Sequence, residues 1–338
     1  MFFIKAGKLN IVIDGQFGST GKGLICSYLA YTEHIDIAVT NAAPNAGHTF
    51  VDIEGNKKVA KHLPISGIIN DRSTIYLCAG AIINPKILLK EIKDFDIDPT
   101  RIYIHPRAAI IEDLDIQKEQ DINSSQSKLA STRTGVGEAL SRKILRSSSL
   151  AEGCKNLEPF IKELDLQFYL DQNCSILMEV PQGFDLSLNS GLSYPYCTSR
   201  EITVSSALSD AQVHPSYLGN VMMSIRTFPI RVGNLKINNK EIGYSGPFYP
   251  DSKEVTWKYI GVEEEMTTNT NRVRRIATFS MTQYKQAVNK LRPTHIFLNF
   301  TNYIRSEKKL NKLLEEMLKI QKVNYIGTGS TFLNVHEV

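Results

Sequence analysis

The segment Asp14-Gly15-Gln16-Phe17-Gly18-Ser19-Thr20-Gly21-Lys22-Gly23 constrains this chain more than any other. It follows an apolar run, Asn10 to Asp14, and opens a helical pattern from Lys22 to Tyr31. Glycines in such a place let backbone N–H groups crowd around an anion, and the helix N-terminus adds partial positive charge. Lys22 extends from that turn to the reach of a β- or γ-phosphate. The segment therefore reads as a phosphate loop, but an unusual one. Five residues rather than four separate Gly15 from Gly21, and Gly23 stands where Ser or Thr normally gives Mg²⁺ a hydroxyl. A metal ion has to find its oxygens elsewhere.

A strand, loop and helix in this order belong to an α/β fold with a largely parallel sheet. Further strands are expected at Ile35 to Val39, Ile75 to Cys78, Ser175 to Val180, Val221 to Ile225 and His295 to Asn299. Asn84-Pro85 starts a helix with a capping residue and a first-position proline, and Ser280 caps another that runs to Leu291. The polar stretches Gln117 to Lys128 and Ser147 to Glu158 read as loops or insertions. A single domain over 1–338, with excursions near 117–160 and 235–275, is the expected organisation.

Composition excludes several classes. A net charge of +4 spread among acids is not the dense basic stripe of a nucleic-acid binder. The five cysteines lie far apart with no CxxC pair, which argues against a zinc site or disulfide framework and for a reducing compartment. No apolar run approaches the roughly 20 residues that span a bilayer. The opening residues are too short and charged for a signal peptide. A cytoplasmic protein, handling small anions rather than a membrane, is expected.

The loop resembles that of the adenylosuccinate synthetases, Gly-x-Gln-Trp-Gly-Asp-Glu-Gly-Lys-Gly. Asn45-Ala46-Gly47-His48-Thr49 and Lys61-His62-Leu63-Pro64-Ile65-Ser66-Gly67 match further signatures of that family. Gly80-Ala81-Ile82-Ile83-Asn84-Pro85, Pro181-Gln182-Gly183 and Tyr194-Pro195-Tyr196-Cys197-Thr198-Ser199 follow in the family order. The resemblance spans nearly the whole chain, which is shorter than typical members. It implies a P-loop-related fold with a mostly parallel central sheet and helices on both faces. It also implies two-step chemistry: a γ-phosphate moves to O6 of a purine, and the amine of aspartate displaces it.

Site residues follow from the same resemblance. His48 matches the histidine that assists phosphoryl transfer, with Lys22 on the phosphates; Gly18, Gly21, Gly23, Gly47, Thr49 and Gly329 complete the donor-nucleotide contacts. Gly47 and Ser19 fall at positions near Mg²⁺. Asn45, Ala46, Ser131, Thr132, Gln182, Thr198 and Arg231 match positions around the purine monophosphate. Arg146 aligns with an arginine that reaches a neighbouring subunit's site, which implies a homodimer. Thr268, Thr270, Asn271, Arg272 and Arg274 resemble the aspartate-binding loop, where guanidinium forks suit carboxylates. His62, His105, His214 and His295 lack such context and read as structural.

Two departures bear on the substrate. Ser19 stands where the family has the aspartate that takes the purine N1 proton, and a serine is no carboxylate base. Guanine carries an amino group beside N1, and a shorter side chain leaves it room. The same replacement marks a phage-type branch of the family that acts on dGMP on the way to 2-aminoadenine in viral DNA. Water, a substrate phosphate or ionisation at the transition state remain open as replacements for the base. Asn302, in Asn299-Phe300-Thr301-Asn302, stands where the family reads guanine with an aspartate; an amide suits adenine instead. ATP or dATP is therefore the expected donor, with dGMP and L-aspartate as the other substrates, in a host cytoplasm if phage-encoded. An ordinary synthetase using IMP and GTP, or a silent nucleotide-binding regulator, stay as alternatives.

Overall fold

The computed structural model describes residues 3–238, 240–268 and 270–338. Nine strands form its main sheet: β1 (Lys8–Asp14), β2 (Ile37–Thr40), β3 (Thr74–Leu77), β4 (Ile102–Ile104), β5 (Ser175–Glu179), β6 (Leu218–Arg226), β7 (His295–Asn299), β8 (Tyr325–Gly327) and β9 (Val335–Glu337). Their spatial order is β9-β8-β7-β6-β1-β5-β2-β3-β4. Every neighbouring pair is parallel except β8–β9.

Strand β1 is apolar on both faces and buried from Leu9 onward, so it has to lie mid-sheet under helices on either side. Leu9, Ile11 and Ile13 pack with Tyr284, Ala287, Val288 and Leu291. Val12 packs on the opposite face with Ile25, Cys26 and Leu29. Each fully buried aliphatic side chain contributes roughly 1.5–3 kcal/mol. The covering helices are α1 (Lys22–Thr32) and, on the other face, α5 of the set α2 (Pro85–Asp94), α3 (Asp113–Gln120), α4 (Val136–Ile144), α5 (Met281–Leu291) and α6 (Glu307–Leu318). The two caps expected from sequence are made: Asn84 Oδ1 accepts from Ile87 N at 3.2 Å, and Ser280 Oγ from Gln283 N at 3.0 Å.

Three buried glutamates tie loops to this frame. Glu179 accepts from Ile65 N, Ser66 N and Ser66 Oγ at 2.7–3.0 Å. Glu91 accepts from the N–H groups of Lys61, His62 and Leu63. Glu119 accepts from Gly135 N and Gly137 N at 2.7 Å and caps α4. Burial pushes all three carboxyls up, and the converging N–H donors pull them back.

The stretch Gln117 to Lys128 is not the loop expected. It holds the end of α3 and a helical turn, Ser125–Lys128. Its inward side chains include Asp115 and Glu119, buried as partners of Arg142 and of α4, so no apolar periodicity marks the helix. Strands β4, β8 and β9 have three residues each, too few for a period-2 signal. Among the described residues no helix is long and apolar enough to cross a membrane.

Candidate active site

The carboxyl ends of β7, β6, β1, β5 and β2 lie side by side, and the loops that leave them surround a cavity of about 1090 Å³. Ligands bind at this edge of open α/β sheets, where connections diverge to either side of a central strand. Here β1 is that strand, with β6 to β9 on one flank and β5, β2, β3 and β4 on the other.

The loop after β1 turns through three left-handed residues, Gly18 (φ 90), Ser19 (φ 54) and Gly21 (φ 90). Asp14, fully buried at the strand end, organises it: Oδ1 accepts from Gln16 N at 2.8 Å and Gly18 N at 3.3 Å, and Oδ2 accepts from Thr20 Oγ1. Lys22 Nζ donates to Asp14 Oδ2 at 3.1 Å and to the Gln182 carbonyl at 2.9 Å. Gly23 is required by a close approach, because a Cβ there would sit 1.9 Å from the Thr49 carbonyl oxygen. The hairpin His48–Val51 with Lys57–Ala60 is thereby laid against α1.

That hairpin brings Asn45, Ala46, Gly47, His48 and Thr49 into the cavity wall. Burial, and then the nearby Lys22 ammonium, push the His48 imidazole down to about 3. It is neutral at pH 7, one ring nitrogen carrying a proton and the other a lone pair. Gln182, held at φ 66, donates from Nε2 to Asn45 Oδ1 at 2.9 Å. The purine-monophosphate positions Ser131, Thr132, Thr198 and Arg231 line the same space. Arg231 donates to the carbonyls of Ser245, Pro247 and Tyr196 and stacks on Phe17 at 4.5 Å. Burial and the neighbouring Arg275 lower it to about 10, so it stays charged.

Of the expected aspartate loop, Thr268 and Arg274 line the cavity, whereas Thr270, Asn271 and Arg272 do not. Arg272 faces inward to the protein: Nη2 donates to Ala130 O at 2.8 Å and Ser131 O at 3.0 Å, and Nε to Thr270 Oγ1 at 2.9 Å. It braces the loop against the segment Ala130–Ser131, while its Nη1 is buried without a partner among the described residues. Arg274 donates only its backbone N–H, to Glu265 O at 2.9 Å, and among the described residues its guanidinium has no hydrogen-bond partner. Desolvation lowers it to about 10, opposed by Glu265 and reinforced by Arg226.

Two expected positions stand apart from the cavity. Arg146 is exposed, with φ 62, just past α4, and follows Ile144 and Leu145, which are 72% and 73% exposed. Asn302 is exposed on the turn Thr301–Tyr303, although Phe300 and Tyr303 beside it and Gly329 opposite do line the wall. The four histidines read as structural lie away from the cavity wall. His62 is fully buried and accepts from Asn84 N at 3.2 Å, and His105 meets Gln212 at 3.1 Å. His214 caps the turn Pro215–Tyr217, and His295 is buried in β7.

Sequence reasoning gave Asp14 no role of its own and passed over Arg226 and Glu265. A charged residue closing an otherwise apolar strand was the available signal for Asp14 and Arg226; Glu265, one of three consecutive glutamates, gave none.

A phosphate loop and a neutral histidine around one cavity, with a free guanidinium among the described residues in its wall, are the equipment of a nucleotide-using enzyme. A family model described as adenylosuccinate synthetase matches residues 11–168 and 148–311, and the chain belongs to that family of carbon–nitrogen ligases. It is 36% identical over 325 residues to the N6-succino-2-amino-2'-deoxyadenylate synthase of Salmonella phage PMBT28, covering 89% of this chain and 87% of that one. The enzyme of the same description from Acinetobacter phage SH-Ab 15497 is 35% identical, with 97% and 93% covered. Among solved structures, the cyanophage S-2L succinoaminodeoxyadenylate synthetase bound to dGMP and dATP superposes with a TM-score of 0.87 at 31% identity, covering 98% of this chain and 95% of that one.

Proposed function

We propose that this chain joins L-aspartate to C6 of dGMP with ATP or dATP as phosphoryl donor. The γ-phosphoryl group passes to O6 of guanine, releasing ADP or dADP. The aspartate amine then attacks C6, and the C6–O bond breaks to release phosphate. The product is 2-amino-2'-deoxyadenylosuccinate. The observation that carries this reading is Ser19: a short hydroxyl side chain lies in the cavity wall beside Lys22 and His48, at the loop position where the family carries a carboxylate. Its short side chain leaves space for the guanine 2-amino group.

The remaining roles follow from chemistry. Lys22 and the loop N–H groups neutralise the phosphates, and a neutral His48 donates one N–H to the transferring oxygen or to O6. Thr132, Gln182, Thr198 and Arg231 hold the monophosphate, with Arg146 arriving from the second subunit of a homodimer across the exposed Ile144 and Leu145. Arg274 takes an aspartate carboxylate in its free fork, and Arg272 holds the loop in place. Asn302, on the exposed turn beside the lining residues Phe300 and Tyr303, reads adenine where the base extends out of the cavity. The hydroxyl of Ser19 and the carbonyl of Gly47 are hard oxygens that fit Mg²⁺ together with substrate phosphates. The ion supplies charge neutralisation on those phosphates.

Phosphate release with Mg²⁺, aspartate and ATP, offering dGMP, GMP, IMP and dAMP in parallel with mass analysis, tests the reading. Turnover with dGMP and little with IMP supports it. Turnover with IMP returns the chain to the ordinary synthetases, and silence with all four leaves a binder without catalysis. In Asn302→Asp the preference between ATP and GTP is expected to move toward GTP by about tenfold.

A further inference from the structure

Arg226 ends β6 with no solvent exposure, a costly place for a guanidinium. Nη1 donates to the Ser19 carbonyl at 3.0 Å and to Glu265 Oε2 at 3.2 Å, and Nη2 to Glu265 Oε1 at 2.6 Å. Among the described residues its Nε is buried without a partner. The plane lies 4.0 Å from the Phe300 ring centroid, and the Tyr303 hydroxyl donates to the same Glu265 Oε1 at 3.0 Å. One side chain thus touches three segments with different duties. They are the phosphate loop at its left-handed serine, the turn beside the donor base, and the strand of chain leading into the aspartate loop.

Glu265 has a second cationic neighbour. Arg226 and Arg274 both act on its charge, and Arg274 is the guanidinium left free in the cavity. Without the carboxylate, the buried Arg226 and the half-buried Arg274 would face each other uncompensated.

We infer that Arg226 and Glu265 are positioning residues: a strut that holds Ser19 in its left-handed turn and keeps the phosphate loop in register with the donor-base turn and Arg274. The inference rests on the proposed ligase reaction. A pair serving stability alone is often replaceable by well-packed apolar side chains. A fork that holds a loop carbonyl and both carboxylate oxygens together is a geometric device, which lysine cannot copy. A serine at φ 54 is also a conformation that surrounding contacts have to maintain.

The variants Arg226→Lys, Glu265→Gln and Tyr303→Phe test this in the full-length protein. Oxygen-isotope scrambling within ATP, run with Mg²⁺ and dGMP but no aspartate, reads phosphoryl transfer alone; calorimetry reads binding of each nucleotide, and melting curves report folding. Arg226→Lys and Glu265→Gln are expected to slow scrambling about 10- to 100-fold while nucleotide dissociation constants stay within about threefold, and Tyr303→Phe to slow it about threefold. Scrambling at the wild-type rate, or a loss matched by weaker binding, overturns the strut. If the two charge variants fail to fold, an unchanged rate in Tyr303→Phe overturns it and the threefold loss supports it. A wild-type protein that scrambles with no purine monophosphate fails the proposed reaction instead, which keeps the two outcomes apart.

Discussion

Lys22 Nζ lies 3.1 Å from Asp14 Oδ2, and the two side chains are 7% and 0% exposed. Asp14 also accepts from Gln16 N, Gly18 N and Thr20 Oγ1, so one carboxylate both shapes the phosphate loop and anchors its lysine. The ammonium also donates to the carbonyl of Gln182, a residue of the same cavity wall, at 2.9 Å. Lys22 therefore links the phosphate loop to the turn at Gln182.

Removing each partner separates the two duties. Lys22→Met is expected to lower kcat about 100- to 1000-fold, the size seen when one preorganised donor to a developing charge is lost. Asp14→Ala leaves buried donors and an ammonium uncompensated, and is expected to destabilise the fold by about 3 kcal/mol in urea titrations. A stability equal to wild type in Asp14→Ala would remove the carboxylate from its organising role.

Ser19→Asp restores a carboxylate to the loop. Aspartate tolerates left-handed backbone, so φ 54 need not change. The longer side chain crowds the guanine 2-amino group, and kcat/KM for dGMP is expected to fall about tenfold relative to IMP. Parallel kinetics with the two monophosphates measure the ratio, and an unchanged ratio would sink the role given to this position.

Arg274 presents a guanidinium with no hydrogen-bond partner among the described residues. Arg274→Leu is expected to raise the KM for aspartate about 100-fold or more while the KM for dGMP and ATP changes little, and Arg274→Lys about tenfold, because an ammonium cannot form the paired bonds. Initial rates at varied aspartate decide; equal loss for all three substrates would make Arg274 structural.

The parts legible in sequence were those whose physics is local. The run from Asn10 to Asp14 followed by glycines specifies a buried strand and an anion turn without reference to anything distant, and the caps at Asn84 and Ser280 work within one helical turn. The bracing hydrogen bonds of Arg272 could not be read from sequence, because the carbonyls of Ala130 and Ser131 lie some 140 residues earlier in the chain. Glu265 was invisible for the same reason: its neighbours in sequence are glutamates, and only the fold places Arg226 beside it. Helix α3 hid because its buried face carries carboxylates rather than aliphatics.

His62 supplies a prediction in which pH is the variable. It is fully buried; Nε2 accepts from Asn84 N, and desolvation, with Lys61 nearby, pushes the imidazole down to about 3. In the unfolded chain a histidine titrates near 6.5. Below that value the unfolded state binds a proton that the folded state refuses, so stability falls as pH drops from about 6.5 toward 3. One unit below the unfolded value the loss from this residue is about 1.4 kcal/mol. His62→Gln keeps an acceptor for Asn84 N but does not titrate. The stability difference between wild type and this variant, from urea titrations at pH 7.5 and pH 5.5, is therefore expected to shift by about 1.4 kcal/mol against wild type at the lower pH. A difference that does not vary with pH would mean that His62 takes up its proton in the folded protein, and hence that its pocket admits a charge.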